Sequence, residues 1–393
     1  MRALTWQGLQ QVEVKEVPDP LIEKPTDAVV RVTSTAICGS DLHLYNVLAA
    51  YLTPGDILGH EFMGIVEQVG SAVENLQVGD RVVVPFNISC GRCWMCDRGL
   101  FAQCETTQNV DQGKGASLFG YTSLYGSVPG GQAELVRVPH ADFGPVKVDA
   151  GLSDERVLYL SDILPTAWQA LEYADVPEGG TLAVLGLGPV GQLAVRSARH
   201  RGIRVIGVDR VPERNALAGR FGAEVVDLSS VEDVGDELRE MTDGRGPDSV
   251  IDAVGMEAHG SPVLGAAVAA ATRLPKPIAR KAMETAGVDR LAALHTAIDA
   301  VRRGGTISIS GVYGGMADPM PMMQLFDKGV QVRMGQCHVK RWTEELYELV
   351  SGAEDVLDLE NLATHRVPLE QAPEMYRTFN DKEDGCVKVV LTP

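Results

Sequence analysis

Short apolar runs separated by turn signals dominate the first 150 residues. They fall at 29–32, 65–69, 81–85 and 134–138, with Gly-Asp and Pro-Gly pairs between them, and predict strands of an irregular, mostly β domain. From Thr181 the pattern changes. TLAVL is a continuous apolar run of the kind a fully buried strand carries; a glycine-rich turn, the helix-like QLAVRSARHRG and a second apolar run, RVIGVD, follow it. Further runs at 224–226, 249–253 and 305–311 continue the series, so this part of the chain predicts a doubly wound parallel sheet in an α/β protein. Between Gly255 and Gly304 lies a connection with Pro262, Pro275 and Pro277, two helical patterns and an alanine-rich stretch at 265–271. It is longer than a crossover needs, and fits a cofactor cover, a subunit contact or a surface insertion.

Composition adds limits. A chain of 393 residues with 45% hydrophobic content can bury a large core and is expected to divide into two domains. MRALTWQGLQQVEVKEV has no basic stretch leading into an apolar run, and no uninterrupted apolar segment reaches the ~18 residues of a membrane span, so a cytoplasmic protein without membrane contact is expected. The net charge of -18 repels nucleic acid and anionic membranes. Seven cysteines, an odd number in a long chain of this kind, favour thiolate chemistry or burial over disulfides.

Four of the seven lie together in CGRCWMCDRGLFAQC, as Cys90, Cys93, Cys96 and Cys104. Four thiolates can close a tetrahedron around one ion; the set suits structural zinc, and an iron–sulfur cluster also accepts four cysteines. With every position filled by protein there is no room for substrate, so chemistry must lie elsewhere. The turn after TLAVL reads Gly186, Leu187, Gly188, Pro189, Val190, Gly191. Preceded by a strand and opening a helix, this pattern lets backbone approach a dinucleotide pyrophosphate. Asp209, at the end of the next strand, can accept bonds from the adenosine ribose and repels a 2′-phosphate, which argues for NAD; Arg210 blurs that preference slightly. In CGSDLH and GHEFMG, Cys38 and His60 are candidate ligands of a second metal, but two ligands do not make a site.

CGSDLH, then GHE-x2-G-x5-G-x2-V, GDRV, the four-cysteine lobe and GLGPVG together resemble the zinc-dependent medium-chain alcohol dehydrogenases along nearly the whole chain. YLSDILPTAWQAL resembles the branch containing glutathione-independent formaldehyde dehydrogenases and formaldehyde dismutases. The resemblance implies a GroES-like catalytic domain at 1–165 with the structural zinc lobe, a Rossmann domain at 166–335, and a return to the catalytic domain at 336–393. It implies two zinc ions per chain: one in the lobe, and a catalytic one on Cys38, His60 and Asp162, the last in place of the cysteine common in the wider family. Glu61 would lie behind the metal, Ser40 and His43 would relay a proton, and Thr166 would sit near the nicotinamide. Asp209 and Arg214 would hold the ribose, and Lys388 would approach the pyrophosphate, whereas Gly39 lacks the arginine some relatives use there. His338 and Trp342 are expected to pack. The activity implied is hydride transfer from a small alcohol or hydrated aldehyde to NAD by a homo-oligomer, dimer or tetramer. Polyol or secondary-alcohol oxidation is the alternative within the family. A non-catalytic NAD-responsive binding protein would leave the ligand and relay set without a task.

Overall fold

TLAVL forms the strand Thr181–Leu185, buried at every position, at the centre of six parallel strands. The order across the sheet is Glu224–Asp227, Arg204–Asp209, Thr181–Leu185, Ser249–Asp252, Thr306–Ile309 and Gln331–Met334, the doubly wound arrangement of dinucleotide-binding folds. Ala183, Ile206, Val250 and Ile307 pack with Leu294 and Ile298 of the helix Ala292–Ala300, and burial of the central strands explains why they read as unbroken apolar runs. The sixth strand is absent from the sequence reading because QVRM, on the sheet edge, mixes exposed polar and apolar positions. The computed structural model describes residues 1–255, 291–313 and 320–393. The 256–290 connection, with its prolines and alanine-rich stretch, lies outside the described residues.

The parallel sheet belongs to a unit spanning Thr166–Gln336; Met1–Pro165 and Cys337–Pro393 form the other unit. In that other unit the ten-residue strand Ala28–Ile37 pairs antiparallel with Glu61–Val69, Leu135–Val138 and Val389–Thr392. The apolar run at 29–32 covers only part of this strand, since Thr33, Ser34 and Thr35 interrupt it. Their hydroxyls are satisfied: Thr33 and Ser34 donate to Asp154 Oδ2 at 2.6 and 2.7 Å, and Thr35 to the Glu61 carbonyl at 2.7 Å. The hairpin Arg2–Gly8 with Gln11–Glu16 is likewise unread in the pattern.

Strand pairing explains how distant residues meet. Cys38 follows the last residue of Ala28–Ile37, His60 precedes the first of Glu61–Val69, and Lys388 precedes Val389–Thr392, with Ala36 opposite Glu61 and Val389 opposite Ile37. One corner of the sheet thus receives all three. The C-terminal segment is also clamped by Arg156, a buried residue whose guanidinium donates to the carbonyls of Val350 at 2.8 Å, Gly352 at 2.8 Å and Glu354 at 2.6 Å, at and beyond the end of the helix Val339–Ser351. Among the described residues, no helix is long and apolar enough to cross a membrane. Arg156→Met keeps most of the buried bulk but removes the three donors, and is expected to lower stability by about 2 kcal/mol, read as a lower urea midpoint at unchanged slope.

Candidate functional site

At that corner Cys38, His60 and Asp162 offer one ligand atom each, all within 4.8 Å of one another. Cys38 Sγ lies 3.5 Å from Asp162 Oδ2, which lies 3.2 Å from His60 Nε2. A tetrahedral ion with bonds of roughly 2.0–2.3 Å separates its ligands by about 3.3–3.8 Å, so the donor set fits zinc in both chemistry and spacing. Asp162 caps the short turn Tyr159–Ser161, and the preceding residue's carbonyl accepts from Phe86 N at 3.0 Å, which ties this loop to the sheet. Ser40 lies in the first turn of the helix Gly39–Asn46, and its Oγ is 3.1 Å from His60 Nε2; His43, about one turn later, shares that helix face and is buried.

The surrounding charges are deeply buried. Asp41, Glu61 and Lys388 have no exposed surface, and Asp162 is 7% exposed. Burial pushes the Cys38 thiol up to about 11, assisted by the Asp162 and Glu61 carboxylates. The thiol therefore needs a nearby cation before it ionises near neutral pH. Burial disfavours the His60 imidazolium, but Asp41 and Asp162 outweigh it and raise His60 well above its ordinary value when no ion competes. Asp41 Oδ1 is 3.1 Å from His60 Nδ1, an ion-pair distance without the alignment of a hydrogen bond. Glu61 Oε1 is buried and has no hydrogen-bond partner among the described residues, a further negative atom that a cation would offset. These features fit a divalent ion.

In the cysteine lobe all four sulfurs lie within 4.8 Å of one another, and Cys93 Sγ is 3.9 Å from Cys104 Sγ, close to the ~3.8 Å edge of a zinc–thiolate tetrahedron. The backbone N–H groups of Cys90 and Glu105 donate to Cys104 and Cys93 at 3.3 and 3.4 Å, and the Thr106 hydroxyl donates to Cys90 at 3.0 Å. Burial opposes the Cys93 thiolate, but backbone N–H groups of Cys96 and Glu105 more than offset it and bring the thiol down to about 6. Gly91 and Gly99 adopt left-handed φ of 73° and 69°, so the loop can fold back on itself.

In the parallel-sheet unit, Gly186 has a φ of 86° and Pro189 opens the helix Pro189–His200 with Gly188 as its N-cap. A side chain at Gly191 would run into the Gly186 carbonyl. Val190 lies in the first helical turn. Asp209 Oδ2 accepts from Leu187 N at 2.7 Å, and Oδ1 accepts from Arg210 N and Val211 N at 2.7 and 2.9 Å. The carboxylate thus braces the turn, and Arg214 Nη1 stands 3.9 Å from it while Arg210 is exposed. Thr166 is a half-buried residue of the helix Ile163–Ala174.

The structure places Lys388 in the metal corner: its ammonium bonds to Glu61 and to the Ile37 carbonyl at 3.0 Å, with no exposed surface. Burial opposes its charge, yet Glu61 holds its pKa above the ordinary value. Missing from the sequence reading were Asp41, visible in CGSDLH, and Gln132 and Tyr376, which no motif marks. His338 is also more than filler: its Nδ1 accepts from Ala102 N, inside the lobe, at 3.1 Å.

Dinucleotide-binding architecture in one unit and a three-donor metal cluster in the other define a class, the metal-assisted dehydrogenases. Residues 24–148 match the alcohol dehydrogenase GroES-like domain, and residues 189–272 the zinc-binding dehydrogenase family. The chain is 41% identical to the uncharacterized zinc-type alcohol dehydrogenase-like protein AdhB of Bacillus subtilis over 100% of both chains, and 34% identical to formaldehyde dismutase of Pseudomonas putida over 100% of this chain and 97% of that one. The structure of alcohol dehydrogenase TADH from Thermus sp. ATN1 superposes with a TM-score of 0.82 at 34% identity, covering 100% of this chain and 99% of that one. This chain belongs to the zinc-type alcohol dehydrogenase family, and is an oxidoreductase related to the formaldehyde dehydrogenase and dismutase branch.

The His338 contact predicts a pH dependence. Burial and the nearby Arg341 push this imidazole down to about 4, against an ordinary value of 6.5. Between those values the unfolded chain binds the proton that the folded chain refuses, so stability falls as pH drops through this window and levels off below it. His338→Gln is expected to flatten this part of the pH–stability curve, measured by urea unfolding between pH 4 and 7.

Proposed function

We propose that this protein is a zinc-dependent, NAD-linked dehydrogenase of a small alcohol or hydrated aldehyde, formaldehyde-like in size, working inside the cell with two zinc ions per chain. The observation that carries this reading is the sulfur–imidazole–carboxylate cluster of Cys38, His60 and Asp162, with the Ser40 hydroxyl 3.1 Å from His60. A reducing compartment is supported by the use of the cysteines: five of the seven stand in two clusters at metal-ligand spacing. When bound, zinc supplies Lewis-acid polarisation of the substrate oxygen and the nicotinamide supplies the hydride acceptor.

The chain's own residues do the rest. Cys38, His60 and Asp162 would hold the ion through three protein donors, one fewer than the four cysteines of the lobe. Ser40 accepts the substrate's hydroxyl proton and passes it toward His43, which leaves on the substrate oxygen the negative charge that becomes the carbonyl bond when hydride leaves carbon. Glu61, fixed by Lys388, sets the negative field behind the ligands. Gly186, Gly188, Pro189, Val190 and Gly191 present backbone to the pyrophosphate, and Thr166 bounds the nicotinamide. Asp209 and Arg214 take the ribose; the carboxylate at the glycine turn favours NAD over NADP by repelling a 2′-phosphate. The rings of Phe86 and Tyr121 stand edge-on to His60 at 6.2 and 6.4 Å and give the site an aromatic wall suited to a small substrate. The formaldehyde dismutase relative supports the same substrate size.

The test is metal analysis of purified wild type and Asp162→Ala, with turnover of formaldehyde and short alcohols. Two zinc ions per chain falling to one, with turnover reduced by at least about 10³-fold, is expected. One zinc in both proteins, or unchanged turnover, would contradict the reading. Phe86→Ala is expected to shift kcat/KM toward longer alcohols by about tenfold, measured as the ratio for hexanol over methanol.

A further inference from the structure

Behind His60 runs a chain of buried polar groups that reaches into the C-terminal helix. Tyr376, on the helix Ala372–Asp381, donates its hydroxyl to Gln132 Oε1 at 2.9 Å. Gln132 Nε2 donates to the Ala36 carbonyl at 3.0 Å and to Asp41 Oδ2 at 3.4 Å, and the same Asp41 oxygen accepts from Cys38 N at 2.9 Å. Asp41 Oδ1 faces His60 Nδ1. Tyr376, Gln132 and Asp41 have no exposed surface.

Chemistry fixes the direction of this chain. The Ala36 carbonyl and the Asp41 carboxylate can only accept, so the amide nitrogen of Gln132 must face them, and its oxygen must face the tyrosine hydroxyl, which therefore donates. The chain ends beside an imidazole: Asp41 Oδ1 stands 3.1 Å from His60 Nδ1, on the ring edge opposite the Nε2 that faces Asp162. A glutamine held at both ends cannot turn, and that fixes the height of Asp41 against the ring. Without the tyrosine hydroxyl, Gln132 Oε1 is left buried and unsatisfied, and the amide gains by reorienting away from Asp41.

We propose that Gln132 and Tyr376 are positioning residues of the metal centre, through which the C-terminal helix sets the orientation and donor strength of His60 toward zinc. The inference rests on the reading of Cys38, His60 and Asp162 as a zinc site. It gives the return of the chain to this unit a task in metal binding.

The experiment measures zinc affinity of the full-length protein by chelator competition at one pH, with the visible spectrum of the cobalt-substituted protein as a second readout. Gln132→Met, close to isosteric and unable to bond at either end, is expected to weaken the second zinc about 10–100-fold, and Tyr376→Phe about threefold to tenfold. The lobe zinc serves as internal reference and is expected to be unchanged. In an Asp41→Asn background the Tyr376→Phe effect is expected to vanish, because the chain is already broken. If wild type holds two zinc ions and both variants hold the second as tightly, with unshifted cobalt spectra, or if Tyr376→Phe and Asp41→Asn act additively, the positioning role is refuted while the zinc site stands. If wild type holds zinc in the lobe alone, the underlying reading fails and this inference with it.

Discussion

A surplus of buried negative charge organises the metal corner. Asp41, Glu61 and Asp162 are carboxylates with little or no exposed surface, and the buried Cys38 thiol stands among them. Against them stand the Lys388 ammonium and the His60 imidazole. Isolated buried charges cost several kcal/mol each even after relaxation, so this arrangement is stable only with further positive charge or with protons taken up by the acids. A divalent ion meets that need through three donors already at tetrahedral spacing. The same surplus of negative charge suits the corner to a divalent ion.

The fold earns this geometry from strand ends. Backbone pairing of Ala28–Ile37 with Glu61–Val69 and Val389–Thr392 is indifferent to side-chain charge, and it delivers Cys38, His60 and Lys388 to one place whatever their electrostatic cost. Helical and loop elements then adjust the donors: Ser40 and Asp41 from the helix Gly39–Asn46, and Asp162 from the turn after Tyr159–Ser161. The lobe works differently. It has little core of its own, and its sulfurs are positioned by local N–H and hydroxyl donors, by two left-handed glycines and by the His338 tie.

What was legible in the sequence follows from how local each signal is. The cysteine lobe and the turn from Gly186 to Gly191 are each written in consecutive residues, because their loops close on themselves. The parallel strands are legible because burial on both faces leaves runs such as TLAVL without interruption. The strand Ala28–Ile37 is only half legible, since Thr33, Ser34 and Thr35 look like a break until their bonding partners are known. Asp162 enters through a family resemblance alone; nothing near it in sequence marks a ligand. Gln132 and Tyr376 lie 244 residues apart, and no local pattern can reveal their bond. The bond between Lys388 and Glu61 is equally hidden in the sequence, because it arises only where the strand Val389–Thr392 starts beside Cys38.

The most direct test of this account is anomalous diffraction at the zinc absorption edge from crystals of the purified, untreated protein. It predicts two peaks per chain, one inside the four-sulfur lobe and one between Cys38 Sγ, His60 Nε2 and an Asp162 oxygen, about 2.3 Å from the sulfur and about 2.0–2.2 Å from the other two. A single peak in the lobe, with Cys38, His60 and Asp162 hydrogen-bonded directly to one another, would contradict the claim that their buried charge is organised around a metal ion.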